Sequence, residues 1–122
     1  MIDKDLVGSL HEILPDITEV KLFPWVDGRP SEDFVTVATA EKRPVEHRDE
    51  RAFGDIEIEV DRTVFFLWSH SIRWTGAVPE QKIATRWVIE ESNGDRWSIV
   101  NASLEMMKTR WRCPCVQNFQ RP

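Results

Sequence analysis

Apolar and polar residues alternate in several stretches of this chain. Over residues 86–100 two apolar arms flank the Asn93-Gly94 pair. Asn-Gly is the strongest short-range signal for a tight β-hairpin, because both residues of a two-residue turn take a positive φ. The pattern predicts such a turn, with Val88 opposite Ile99, an apolar base and a polar tip that projects.

Further strands are predicted from alternation or from enrichment in β-branched residues. Ile56, Ile58 and Val60 alternate with acidic side chains, which is typical of a half-buried strand with one wet face. The apolar run that follows over residues 63–68 is continuous, so we expect it to be buried on both sides or to cross between sheets. The predicted strands outside the hairpin are 19–23, 34–39, 55–61 continuing into 63–68, and 104–116.

Turn-forming or charged residues separate these strands. Residues 24–30 contain Gly28, which suits a positive φ, and two prolines that we expect not to join a ladder. Residues 41–54 are the most charged stretch and are predicted to form an exposed strand edge or loop. Residues 69–81 are predicted to form a loop that holds Trp74.

An amphipathic helix is predicted at the start of the chain. Leu6, Leu10, Ile13 and Leu14 recur on one face of a 3.6-residue period, and Pro15 prevents continuation. A helix this short needs a surface to pack on. That surface is either the sheet of the same chain or a neighbouring subunit.

These elements predict one mostly β domain over residues 1–122. We expect a small β-barrel or sandwich of about six to seven antiparallel strands with a short N-terminal α-helix. Residues 1–15 are the predicted helix, 16–116 the β domain and 117–122 a loose tail. Six Trp and six Phe with no Tyr suit a small core with much ring burial, and also aromatic anchors at an interface.

Charge and composition exclude several classes of protein. The formal net charge of −5 argues against a general nucleic-acid binder, which needs a basic surface. No apolar run is long enough to span a membrane, and the first residues lack the layout of a signal peptide. We therefore expect a protein of a reducing cytoplasm that is not secreted. Cys113 and Cys115 are too close in sequence for an unstrained disulfide, so free thiols are predicted.

No residue pattern predicts reaction chemistry. His47-Arg48-Asp49 resembles a kinase triplet but lacks the Asn that should follow, and Ser69, His70 and Ser71 lack a nucleophile elbow. Cys113 and Cys115 supply at most half of a zinc site. Acidic pairs such as Glu57/Glu59 and Glu90/Glu91 fall on predicted wet faces. We therefore predict no catalytic residue, no cofactor and no metal.

Residues 34–116 nevertheless carry a recognisable layout. Phe34-Val35-Thr36-Val37 form an early strand, and a long strand ends in Val64 to Trp68. A loop with Pro79 precedes the Asn93–Ile99 hairpin, and a last strand alternates basic and apolar residues. This layout resembles small neck proteins of tailed bacteriophages and prophages, which join or close the head at the tail. Related neck and tail-completion proteins also have an N-terminal helix in some cases.

The resemblance implies a non-enzymatic, β-rich subunit of a ring between portal and tail. Its expected partners are copies of itself and other phage structural proteins such as portal or tail completion proteins. It would act in the host cytoplasm during assembly and in the virion. The resemblance transfers no residue-level site. The interface residues that we predict from loop positions and from the projecting hairpin tip are Trp25, Arg29, Trp74, Asn93 and Gly94.

An alternative function follows from the last predicted strand. Arg110, Trp111 and Arg112 would form a basic aromatic strip in an OB-like barrel that binds single-stranded nucleic acid. Stacking of a base on the ring and contacts of the guanidinium groups to phosphate would supply the affinity.

Overall fold

The computed structural model describes residues 17–53 and 61–117 of the chain. The predicted helix over residues 1–15, the predicted strand over residues 55–60 and the tail after Gln117 lie outside the described residues. The strands in the described part are β1 Ile17–Phe23, β2 Trp25–Val26, β3 Arg29–Pro30, β4 Val35–Arg43, β5 Arg62–Trp68, β6 Val88–Glu90, β7 Arg96–Ile99, β8 Ser103–Glu105 and β9 Arg110–Gln117.

Six of these strands close into an antiparallel barrel in the order β5-β4-β1-β6-β7-β9. The barrel closes because β9 pairs with β5 on one edge, from Arg62 opposite Val116 to Trp68 opposite Arg110. The other edge of β9 pairs with β7 along one part and with β8 along another. The predicted mostly β fold and the barrel are confirmed. The described part has nine strands where six to seven were predicted, since β8 and the small β2–β3 hairpin lie outside the barrel.

Alternate side chains of the strands fill the barrel interior. Phe65 and Leu67 of β5 belong to the central core and are fully buried. Val64 and Phe66, on the outer face of the same strand, are also buried. The prediction that this run is buried on both sides is therefore confirmed.

The predicted hairpin joins β6 and β7, but its turn is one residue longer than predicted. The N–H of Glu91 donates to the carbonyl of Asp95, and the N–H of Gly94 donates back to Glu91, both at 2.9 Å. Residues 92–94 therefore form a three-residue loop. Gly94 takes a positive φ of 94°, as expected for the left-handed position of such a loop.

The longer turn shifts the register of the hairpin by one residue. Val88 lies opposite Ser98 and not Ile99. A slip of one residue moves side chains to the other face of a sheet. As a result Ile99 and Trp97 share the barrel interior with Ile89, and the predicted pairing of Val88 with Ile99 was wrong.

The predicted last strand is in fact a second hairpin. β8 and β9 pair with Glu105 opposite Arg110, and residues 106–109 form the turn. This turn contains no Gly, Pro or Asn, so it gave no turn signal. Gln117, predicted to begin a loose tail, belongs to β9 and pairs with β7.

Two prolines lie inside strands. Pro30 pairs with Trp25 at the end of β3, although the prolines of this segment were predicted to stay out of any ladder. Pro114 lies in the middle of β9 and accepts the N–H of Val100 at 2.9 Å. At Pro114 the strand that pairs with this edge of β9 changes from β7 to β8, so the ladder is interrupted there. A proline is tolerated at such an interruption.

Within its described residues 41–53 the charged segment is largely exposed, as predicted, but parts of it pack against the barrel wall. Its first three residues complete β4, His47–Asp49 form one 3-10 turn, and a short helix α1 spans Glu50–Phe53. Asp49 and Phe53 are buried. No helix within the described residues is long and apolar enough to cross a membrane.

The antiparallel order gives the barrel two different ends. The charged end carries the turn at residues 92–94 and the last residues of β4. We call the opposite end, where β1 and β5 finish, the tryptophan end. It includes the connections over residues 24–34 and 69–87 and the turn at 106–109. The tryptophans at or beside it are Trp25, Trp68, Trp74, Trp87 and Trp111.

Candidate functional site

A groove between the β8–β9 hairpin and the 69–82 connection opens at the tryptophan end. It encloses about 330 Å³. We call it the Trp74 groove. Its apolar and cationic lining residues are Ile72, Trp74, Leu104, Trp111, Lys82 and Lys108.

The rings of the Trp74 groove are held by the core behind them. Trp74 packs edge-on against the buried Trp87, with ring centroids 6.5 Å apart. Trp74 and Trp111 are both half-buried and pack against the central cluster. Each ring thus has one face fixed by the fold, so the groove is a preformed apolar surface.

The turn beside the groove carries exposed apolar side chains. We call residues 106–108 the methionine turn. Met106 is 62% exposed and Met107 is 96% exposed, and the neighbouring Leu104 is 40% exposed. Large apolar side chains clustered at a surface commonly mark an interaction site. Methionine suits such a role because its flexible thioether adapts to different partners.

The backbone of the methionine turn is strained. Met106, Met107 and Lys108 take φ values of 54°, 57° and 67°, although residues with a Cβ disfavour the left-handed region. The turn is closed by Thr109, whose N–H donates to Glu105 and Met106 at 3.2 Å. Three successive strained residues persist only where the surrounding structure holds them, and such strain clusters at functional sites.

A second groove at the same end contains the predicted interface residue Trp25. It encloses about 500 Å³ and is lined also by Arg86, Val88 and Ile99. The guanidinium of Arg86 lies 5.7 Å from the Trp25 ring, and Arg86 has a φ of 74°. Arg29, another predicted interface residue, is exposed on β3.

The remaining predicted interface residues lie at the charged end. Asn93 and Gly94 are exposed in the β6–β7 turn. The Asn93 side-chain oxygen accepts the N–H of Asp95 at 2.8 Å, so it stabilises its own turn. The structure brings Trp25, Arg29 and Trp74 to one end and places Asn93 and Gly94 at the other. The five predicted residues therefore do not form one surface.

The predicted nucleic-acid strip is engaged within the fold. Arg112 donates from Nε and Nη2 to both carboxylate oxygens of Asp49 at 2.8 Å. Both side chains are buried, at 8% and 3% exposure. Arg110 pairs with Glu105 at 3.0 Å, and Trp111 packs against the core on the opposite face of the strand.

The Asp49–Arg112 pair shifts the pKa of both groups. Burial by itself raises the pKa of Asp49, but hydrogen bonds from Arg112 and from the Glu46 backbone, with the charges of Arg112 and Arg48, outweigh it and lower that pKa. The hydrogen bond to Asp49 raises the pKa of Arg112 against the effect of burial. The pair is ionised on both sides and joins residues 63 positions apart.

The guanidinium groups of this wall also cover an aromatic ring. Arg110 and Arg112 lie 4.2 and 5.0 Å from the Phe66 ring centroid, and Arg43 lies 5.5 Å from it. Phe66 is 2% exposed as a result. These arginines therefore shield an outward-facing ring from water, which is a structural role.

Both cysteines are free thiols buried inside the barrel. Burial raises the pKa of Cys113 and of Cys115, so neither supplies a thiolate near neutral pH. The Cys115 thiol donates to the Cys113 carbonyl at 3.2 Å. Within residues 17–53 and 61–117, no group of three or more His, Cys, Asp or Glu side chains is arranged to hold a metal ion.

Sequence reasoning missed the residues that make this surface distinctive. Leu104, Met106 and Met107 fell inside a predicted strand, because nothing in their local sequence indicates a turn. The burial of Asp49 was missed as well, because it depends on a partner in β9. Comparison with protein-family models, with curated proteins and with solved structures yields no match for this chain.

Proposed function

We propose that this chain is a non-enzymatic subunit of a larger protein assembly, which binds copies of itself and neighbouring proteins. The assembly we favour is the neck of a tailed phage or prophage, where the chain would join or close the head at the tail. The sequence layout over residues 34–116 supports this choice of assembly, and a small closed barrel is compatible with it.

The observation that carries the proposal is the exposed methionine turn beside the Trp74 groove. Closure of a barrel removes the free edges of its strands. The apolar surface at this end is not needed for that closure, because β8 lies outside the barrel. Met106 and Met107 therefore remain exposed in a strained turn without contributing to the core. A partner that covers them would account for both features.

Sedimentation velocity of the full chain over a wide concentration range tests the proposal. We expect association that increases with concentration. The double variant Met106→Ser with Met107→Ser should weaken it, because two apolar contacts are lost. The matched control, Met106→Leu with Met107→Leu, keeps the apolar surface and should still associate.

Neck subunits can remain monomeric until they meet the portal, so a second measurement is required. The chain should be co-expressed with a portal protein of the same viral genome and purified through the portal. A chain that is monomeric at every concentration and does not bind the portal would contradict the proposal.

A further inference from the structure

Among the residues that the structure describes, strand β8 has one unpaired edge, which runs beside the Trp74 groove. In the described part of the chain, β8 pairs with β9 alone. Edge strands present unpaired N–H and C=O groups that can pair with another chain. Further pairing of β8 depends on which of its backbone groups point away from β9.

The hydrogen bonds along β9 show which of its residues direct their backbone groups towards β8. In an antiparallel strand, successive residues direct their backbone groups to opposite sides. The Thr109 carbonyl accepts from Ser69, towards β5, whereas the Pro114 carbonyl accepts from Val100, on the side of β7 and β8. Even-numbered residues of β9 therefore face β8.

It follows that Leu104 directs its backbone away from β9. Arg110 and Arg112 bond to the residues opposite them, Glu105 and Ser103. Leu104, opposite Trp111, lies at the position between these bonded pairs, where the N–H and C=O point outward. No described residue bonds to them. Leu104 thus offers one donor and one acceptor next to the groove that its side chain lines.

The charge of the groove indicates the chemistry of its occupant. Lys82 and Lys108 line it together with a single carboxylate, Glu80. Neither lysine forms an ion pair with another described residue. The chain as a whole has a net charge of −5, so this is a locally basic, apolar site on an acidic protein.

We propose that the β8 edge and the Trp74 groove bind an extended, acidic segment of a partner polypeptide by strand addition. The segment pairs with the backbone of Leu104, places an apolar side chain between Trp74 and Trp111, and directs carboxylates to Lys82 and Lys108. In strand addition the backbone bonds supply affinity, and pockets for alternate side chains supply specificity. This inference rests on the proposed function and names its binding mode.

An acidic segment fits the site better than a second copy of β8. Symmetric pairing of two β8 edges would bring Lys82 and Lys108 of both copies to one interface. Like charges at an interface oppose binding. A carboxylate-bearing strand instead offers opposite charge to both lysines.

The first experiment measures hydrogen exchange of the Leu104 amide in the free full-length chain by NMR. We expect fast exchange, because this N–H has no partner among residues 17–53 and 61–117. Slow exchange would overturn the proposal, since it would mean that the edge is already covered. Sedimentation at the same concentration would then separate cover by a second copy from cover by the chain itself.

The second experiment titrates the full chain with the peptide acetyl-Glu-Asp-Val-Leu-Val-Asp-Glu-amide. We expect weak binding, with the Leu104 amide becoming protected. The variant Leu104→Pro removes the outward N–H but leaves the ladder to β9 intact. The matched variant Leu104→Ala also loses the side chain but keeps the donor, so Leu104→Pro should bind about fivefold to tenfold more weakly than Leu104→Ala, as for one hydrogen bond.

A charge-reversal variant keeps the proposal falsifiable if Leu104→Pro fails to fold. Lys82→Glu with Lys108→Glu should lose the acidic peptide and gain acetyl-Lys-Arg-Val-Leu-Val-Arg-Lys-amide. Unchanged preference for the acidic peptide would overturn the proposal, as would equal binding by folded Leu104→Pro and Leu104→Ala variants. If the peptide fails to bind while the chain still self-associates, the proposed function stands and the strand-addition site falls.

Discussion

The β6–β7 turn at the charged end and the β8–β9 turn at the tryptophan end both need a positive φ, but different kinds of residue adopt it. At the charged end the positive φ falls on Gly94, which has no Cβ to strain. At the tryptophan end it falls on Met106, Met107 and Lys108. The first turn is relaxed and polar, whereas the second is strained and apolar.

The rings beneath the two turns also differ in how they are covered. Trp97, inside the charged end, donates from its indole N–H to Glu91 at 2.9 Å. Lys42 lies 4.7 Å from the same ring and pairs with Glu91 at 3.3 Å. Trp74, by contrast, is half-buried. The comparison indicates that the ring at the charged end is covered by charged side chains of the same chain, whereas the tryptophan end keeps a half-buried ring beside exposed methionines.

The largest expected loss of stability is at Trp97, the ring inside the charged end. Trp97→Ala should destabilise the fold by about 3–5 kcal/mol, because a buried aromatic ring is lost and a cavity remains. Trp74→Ala should cost clearly less, since that ring is half-buried. Urea unfolding of both variants measures the difference, and equal losses would contradict the distinction between the two ends.

The wall between the ends depends on the buried ion pair. Asp49→Asn should destabilise by about 3 kcal/mol, because the buried Arg112 loses its close counter-charge and keeps only the exposed Glu46 at 3.5 Å. The control Glu50→Gln alters an exposed pair with Arg62, and should change stability by less than about 1 kcal/mol.

The same pair predicts a pH dependence. The pKa of Asp49 is lowered in the folded chain, so its stabilisation is present above about pH 4, the ordinary carboxyl range. It is lost as the pH falls through the folded pKa. Wild type should therefore lose stability more steeply in acid than Asp49→Asn does, and parallel curves would contradict this assignment.

A smaller loss is expected at the relaxed turn. A Cβ at Gly94 would meet no atom within 4 Å, so Gly94→Ala tests backbone strain without a clash. We expect a loss of about 1–2 kcal/mol, because alanine disfavours a φ of 94°. Thermal unfolding checks the value, with Ser92→Ala as a control in the same loop.

The smallest effect is a gain in stability at the strained turn. Met107→Gly should stabilise by up to about 1 kcal/mol, because glycine relieves the positive φ and the side chain is almost fully exposed. Met107→Ser removes the same apolar surface but keeps the strain, so it should not stabilise. If both variants behaved alike, the strain at the methionine turn would have no measurable effect on stability.

The candidate site was predicted only in part from the sequence. Trp25 and Trp74 were assigned to loops as candidate anchors, and both lie at the tryptophan end. Leu104 and Met106 were not predicted, because their neighbours carry no turn-forming residue. A hairpin turn without Gly, Asn or Pro depends on the pairing of the strands that it connects, which are β8 and β9 here.

The sequence by itself determined the features encoded in short windows. Alternation and β-branched residues located β1, β4 and β5, and Gly28 and Gly94 located turns that require a positive φ. Tertiary structure decided the rest, because those features join distant residues. The register of Val88 opposite Ser98 depends on a three-residue turn between two barrel strands. The Asp49–Arg112 pair and the strained methionine turn depend on segments outside the barrel that pack against β9.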